Sequence, residues 1–87
     1  MIVVFLMKPP EKSNSNKSKH GIDFNEAKKL WNDSSRVIIT AKNIDESRYL
    51  LIGKINNVFW SAIFTIRNDN IRIISVRKIE KDIYKSI

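Results

Sequence analysis

Cysteine is absent from the 87 residues and histidine occurs once. No disulfide framework and no thiolate zinc site can form, and one imidazole gives no basis for a histidine-rich metal site. The expectation is a function that uses neither metal nor cofactor, in a reducing, cytoplasmic setting. Long apolar runs are missing too. The opening Met1-Ile-Val-Val-Phe-Leu-Met7 is far shorter than a membrane span and lacks the preceding basic region of a signal peptide. It reads as a buried strand of a protein that does not engage membrane. The length suits a modest core and is too short for two, so residues 1–87 are expected to form a single domain.

What the chain has in excess is positive charge, a formal +7. Such a field favours nucleic acid, anionic membrane or an acidic protein, and does not choose among them. Lys, Ile and Asn are abundant enough to suggest an AT-rich coding bias, so the total weighs less than the positions of the scarce arginines. Three of the five lie in Thr65-Ile-Arg-Asn-Asp-Asn-Ile-Arg-Ile-Ile-Ser-Val-Arg-Lys78, which reads as a β-hairpin. A guanidinium fork grips phosphate bidentately where an ammonium cannot, so the hairpin suggests a phosphate-binding surface. The plainer alternative is that these arginines blunt and solubilise exposed strands.

Along the chain, Lys8 to His20 is rich in Ser, Asn and Lys with hardly an apolar residue. On composition this segment, 8–20, is polar and mobile. Pro10 suits the first position of a short helix, but the run offers no stripe to bury, so that helix would be marginal. Asp23 and Glu26 form an N-cap and capping-box pair ahead of Phe24, Ala27, Leu30 and Trp31, predicting a helix over 23–32 with its apolar stripe in the core. Four strands follow, at 36–41, 49–54, 58–67 and 71–77, with turn signals at Asn56-Asn57 and Asn68-Asp69-Asn70. Ile79, Ile83 and Ile87 recur every four residues and predict a short closing helix. The fold class is therefore α+β: a small antiparallel sheet of about five strands, mostly a meander, with one or two N-terminal helices and a short C-terminal one. Several strands are apolar at successive positions, which implies cover on both faces, helices on one side and a partner or substrate on the other.

Register arithmetic places the basic residues. A three-residue loop at 68–70 pairs Arg67 with Ile71 and sets Ser61 opposite Arg77. A two-residue loop at 56–57 pairs Ile55 with Val58 and sets Arg48 opposite Thr65. One end of the sheet then gathers Arg48, Arg67 and Arg72, the other Lys54, Arg77 and Lys78, with Tyr84 returning on the last helix. Arg67 and Arg77 fall on the order of 20 Å apart at roughly 3.3 Å per residue, so they hold different phosphates, as a polynucleotide track requires. A one-residue bulge would flip Arg72 relative to Arg67 and leaves their facing open.

Lys19-His20-Gly21-Ile22-Asp23-Phe24 with Glu26-Ala27, Glu46-x-Arg48-Tyr49-x-x-Ile52-Gly53, Thr65-x-Arg67, and Ile71 to Lys78 with Tyr84 occur in an order and spacing that resembles the BrnT family. The likeness runs from about Pro10 to Tyr84. It implies a RelE-like fold, and a ribonuclease toxin of a type II toxin–antitoxin system that cleaves RNA without metal and inhibits translation. It also implies neutralisation by a BrnA-like antitoxin of ribbon-helix-helix type, with operator DNA bound only through the antitoxin complex. Lys19, His20, Glu46, Arg48, Arg67, Arg72, Arg77 and Tyr84 fall on the family's polar motif positions. The chain departs from the pattern where Trp-Asp-Pro and an alanine-rich helix are usual, having Lys8-Pro9-Pro10 and Ser13-Asn14-Ser15-Asn16-Lys17. A basic residue usual before the 58–67 strand is replaced by Asn57-Val58.

RNA can be cut by its own 2′-hydroxyl if one group takes that proton, another stabilises charge on phosphorus and a third protonates the leaving 5′-oxygen. Arg67 and Arg77 suit the second task. His20 is the only side chain with an ordinary pKa suited to the first or third at neutral pH, with Glu46, Tyr84 or a lysine as substitutes. Lys19, Arg48, Lys54, Arg72 and Lys78 are then RNA-binding. The bland readings stand beside these: His20 as a polar hinge before Gly21, Glu46 as a surface neighbour of Arg48, and Lys28-Lys29, Lys81 and Lys85 as solvated helix faces. Two other functions remain open: a non-catalytic nucleic-acid- or protein-binding module descended from a toxin, and a structural partner of an acidic protein.

Overall fold

In the computed structural model, residues 4–6, 10–41 and 47–79 are described. In chain order they form β1 (Val4–Phe5), α1 (Pro10–His20), α2 (Phe24–Ala27) continuing as a 3-10 helix over Lys28–Asn32, β2 (Val37–Ala41), β3 (Arg48–Ile55), β4 (Val58–Arg67) and β5 (Asn70–Lys78). The five strands make one sheet in the order β1-β5-β4-β3-β2. β2 to β5 are the expected antiparallel meander, and β1 adds to β5 in parallel through Val4↔Asn70 and Phe5↔Ile71. The architecture is α+β, with a mixed sheet and two short helices. No described helix is long and apolar enough to cross a membrane. The closing helix expected from Ile79, Ile83 and Ile87 lies outside the described residues.

Both long hairpins turn on two residues of positive φ: Asn56 (49°) with Asn57 (66°), and Asn68 (49°) with Asp69 (65°). That is the geometry whose twist matches paired strands, and asparagine and aspartate tolerate it. Ile55↔Val58 pairs as expected. The second turn corrects the three-residue loop, because Arg67 pairs with Asn70 and not with Ile71. The displaced residue reappears as a bulge: Phe64 pairs with Ile73 but Ile63 pairs with Ser75, which leaves Ile74 extra, and Ser61↔Arg77 is restored beyond it. Burial is the physical reason. Ile73 and Val76 are both in the core, at 4% and 0% exposure, yet three residues apart they would face opposite sides of a regular strand.

That core lies under one face of the sheet, where Ile22, Phe24, Ala27 and Leu30 meet Leu51, Ala62, Phe64, Ile73 and Val76. Gly53 permits the approach, since a Cβ there would stand 3.2 Å from Leu30 Cδ2. Trp31 sets its ring edge-on to Phe5 and Phe64, and Tyr49 stacks on Phe64. Asp23 caps α2 as expected, its Oδ1 accepting from Glu26 N at 2.7 Å while Asp23 N donates to Glu26 Oε1 at 3.3 Å. The helix expected over 23–32 does not stay α-helical throughout. Its second half tightens to 3-10, which keeps Ala27 and Leu30, three residues apart, together in the core.

Two other expectations are corrected. The opening strand is an edge strand of two residues and not a buried one, with Val4 50% exposed. The polar run is an eleven-residue helix, α1, starting at Pro10. It docks by hydrogen bonds where an apolar stripe is lacking. Asn16 is 5% exposed; its Nδ2 donates to Ile22 O (2.7 Å) and Val76 O (3.1 Å), and its Oδ1 accepts from Val76 N (3.0 Å). Asn16 thereby supplies what a further strand would have given β5 at that point. Ser13 Oγ accepts from Phe24 N at 2.9 Å, and Lys17 pairs with Glu26 at 2.7 Å. The helix ends at Gly21, φ +81°, whose N–H returns to Lys17 O.

Candidate functional site

Because Asn16 fixes α1 beside β5, the side chains on that flank of the helix face the strand. Lys12, Asn16 and His20 recur every four residues, as do Glu11, Ser15 and Lys19, and such residues share a helix face. Together with Ile74, Ser75 and Arg77 of β5 they line a groove of about 430 Å³. A second hollow of about 250 Å³ is lined by Lys12, Arg48, Thr65, Arg67, Arg72 and Ile74. Lys12 and Ile74 belong to both, so the two adjoin. Glu11 is the one carboxylate among these linings.

The bulge creates this arrangement. Arg72 pairs with Thr65, and Arg77 with Ser61; Ser61, Thr65 and Arg67 alternate onto one face of β4. Arg72 and Arg77 stand five residues apart and would point to opposite faces without the extra Ile74. The two-residue turn resolves the facing of Arg72 and Arg67: with Arg72 opposite Thr65, they share the face opposite α2. Arg48 joins them from the start of β3, and Thr65 Oγ1 donates at 2.9 Å to the carbonyl of Ser47 just before it. Arg48 Nε is buried with no hydrogen-bond partner among the described residues.

The residues singled out from sequence therefore divide. His20, Lys19 and Arg77 come together in the larger groove, and Arg48, Arg67 and Arg72 in the smaller. Lys54, Arg77 and Lys78 lie at one end of the sheet as expected, opposite Phe59, Ser61 and Trp60 of β4, but of the three only Arg77 lines the groove. Lys78 pairs with Trp60 on the helix-covered face. Lys54 places Nζ over the Phe59 ring at 5.4 Å, and its N–H donates to Asp33 Oδ2 at 2.8 Å. Glu46 and Tyr84 lie outside the described residues. Lys12, Asn16 and Ser75 were not singled out; the four-residue spacing of Lys12, Asn16 and His20 was the signal that pointed to two of them.

Behind the groove, an exposed ion pair joins α1 to α2. The hydrogen bond from Lys17 keeps the Glu26 carboxyl below its ordinary pKa and raises that of Lys17 in turn. Asp33 is also lowered, first by the Ser35 N–H and then by that of Lys54.

The arrangement can bind a chain of anions, offering one imidazole and an arginine beside one position and a cluster of arginines beside the next. No curated protein matches the sequence. A family model does, over residues 9–82, and it is described as the ribonuclease toxin, BrnT, of a type II toxin–antitoxin system.

Proposed function

This chain belongs to the BrnT family of type II ribonuclease toxins, and from that premise we propose that it cleaves RNA in the groove between α1 and β5, without metal, by attack of the 2′-hydroxyl. The observation that carries the reading is that His20 and Arg77 line one groove with Lys12 and Lys19. A base removes the proton of the 2′-hydroxyl, the 2′-oxygen bonds to phosphorus, and the bond to the 5′-oxygen breaks as that oxygen is protonated. The products are a 2′,3′-cyclic phosphate and a 5′-hydroxyl. His20 serves as the base or the acid, because an imidazole nitrogen can take up or give a proton near neutrality. Arg77, with Lys12 and Lys19, neutralises the charge that accumulates on the phosphoryl oxygens. Glu46 or Tyr84 takes the complementary proton transfer.

Membership gives the chain an RNA substrate and an antitoxin partner. We assign as that partner a BrnA-like ribbon-helix-helix protein, with operator DNA engaged only through the complex, and we place the consequence of cleavage in the cytoplasm as a block of translation. Induced expression tests this. Growth is expected to arrest with the wild type and to continue with His20→Ala or Arg77→Ala when all three accumulate equally beside an antitoxin. A folded wild type that never arrests growth would favour the non-catalytic binding module.

A further inference from the structure

We propose that the hollow formed by Arg48, Arg67 and Arg72 with Lys12 is a second phosphate subsite, which holds an RNA phosphodiester other than the one being cut. The proposal rests on the reading that cleavage occurs beside His20. Four observations carry it.

The first is spacing. Arg72 and Arg77 face the same way, yet their partners Thr65 and Ser61 are four residues apart on β4, roughly 13 Å along the strand. Arginines that project side by side at that spacing meet different phosphates of a strand. The second is composition. Lysine outnumbers arginine eleven to five in this chain, and three of those five arginines converge here, one from each of β3, β4 and β5. A merely solubilising surface has no use for the guanidinium fork, whereas a phosphodiester has two non-bridging oxygens that match it.

The third is Arg48 Nε, a buried donor with no acceptor among the described residues. Buried donors are ordinarily satisfied, and an anionic oxygen in the hollow would satisfy this one. The fourth is preorganisation. Thr65 is 1% exposed and spends its hydroxyl on Ser47 O, which fixes the start of β3 from which Arg48 projects. The two-residue turn at Asn68-Asp69 sets Arg72 opposite Thr65, on the same face. The ligand is therefore a phosphate at a set distance along a chain, and the substrate is an RNA that spans both hollows.

The test measures binding and cutting separately. Binding uses a labelled single strand of about twelve nucleotides in all-deoxy form, which cannot be cut by 2′-hydroxyl attack. Cutting uses the matching RNA and a dinucleotide. The variants are Arg48→Ala, Arg72→Ala, their double, and Lys29→Ala as a remote basic control, with melting curves to confirm folding. Arg72→Lys replaces Arg72→Ala if the latter is unfolded.

Each single substitution should weaken binding about tenfold and lower the slope of log K against log salt by about one. The double should be little weaker than either single, because both arginines serve one phosphate. Cutting of the dinucleotide should be unchanged, and Lys29→Ala should change nothing. Losses that multiply to about a hundredfold in the double, or that match Lys29→Ala, would overturn the subsite in favour of a diffuse basic surface. So would a dinucleotide rate that falls in parallel. A wild type that shows this binding pattern but never cuts leaves the subsite standing and removes the cleavage reading. A wild type that cuts while both substitutions leave binding unchanged does the reverse.

Discussion

Two residues decide most of what this molecule can do, and one is not charged. Asn16 replaces the backbone partner that β5 lacks and so places Lys12, Lys19 and His20. Asn16→Ala strands the N–H and C=O of Val76 and the C=O of Ile22, at about 1–3 kcal/mol for unsatisfied buried groups. Melting should show that loss, and RNA cutting should fall at temperatures where the sheet is still folded. Hydrogen exchange at the Val76 amide would report the same detachment. The second residue is Arg77. Arg77→Lys keeps the charge and loses the fork, so its kcat should drop by roughly 10- to 100-fold with little change in the melt. The sequence exposed His20, Lys19 and the arginines because their types are chemically distinctive. It concealed Asn16 because an amide in a Ser/Asn/Lys run carries no sign that it is the one buried, and it concealed Lys12 because Lys12 matters only once that helix is docked.

At the scale of elements, local chemistry was legible and exact pairing was not. The capping box of α2 and the Asn56-Asn57 turn follow from residue types alone. Asp23→Ala should cost about 1 kcal/mol of stability by melting, from the lost cap. The bulge was legible only indirectly, since the odd spacing of Ile73 and Val76 makes sense only once both are known to be in the core. The junction of α1 and α2 also carries a pH dependence. Glu26 is held below its ordinary pKa chiefly by Lys17, so the pair stabilises the folded chain when the carboxylate is ionised. That contribution is present above the unfolded carboxyl pKa of about 4 and is lost as pH falls through it to the lowered folded value. Melting temperatures of wild type and Glu26→Gln should therefore differ near neutrality and converge as the solution is acidified below about pH 4.

Taken whole, the molecule has a helix-covered face and a face that carries the arginines. β2 runs along its edge with Val37, Ile38 and Ile39 each about half exposed, at 52%, 46% and 49%. No charge, proline or bulge interrupts Val37–Ala41, and uninterrupted apolar edges pair with other strands. Concentrated free chain is expected to self-associate, and Ile38→Lys to reduce that in sedimentation without altering the melt by more than about 1 kcal/mol. The excess of positive charge and the apolar strands were visible in the sequence as two separate facts. Their placement on shared surfaces follows from register, which depends on turns and a bulge that composition does not specify.

The most direct test is to incubate purified protein with single-stranded RNA in the presence of a chelator and to identify the new ends by mass spectrometry. The account predicts 2′,3′-cyclic phosphate and 5′-hydroxyl termini from the wild type and none from Arg77→Ala. Cleavage that the chelator abolishes, or that leaves a 5′-phosphate, would contradict it.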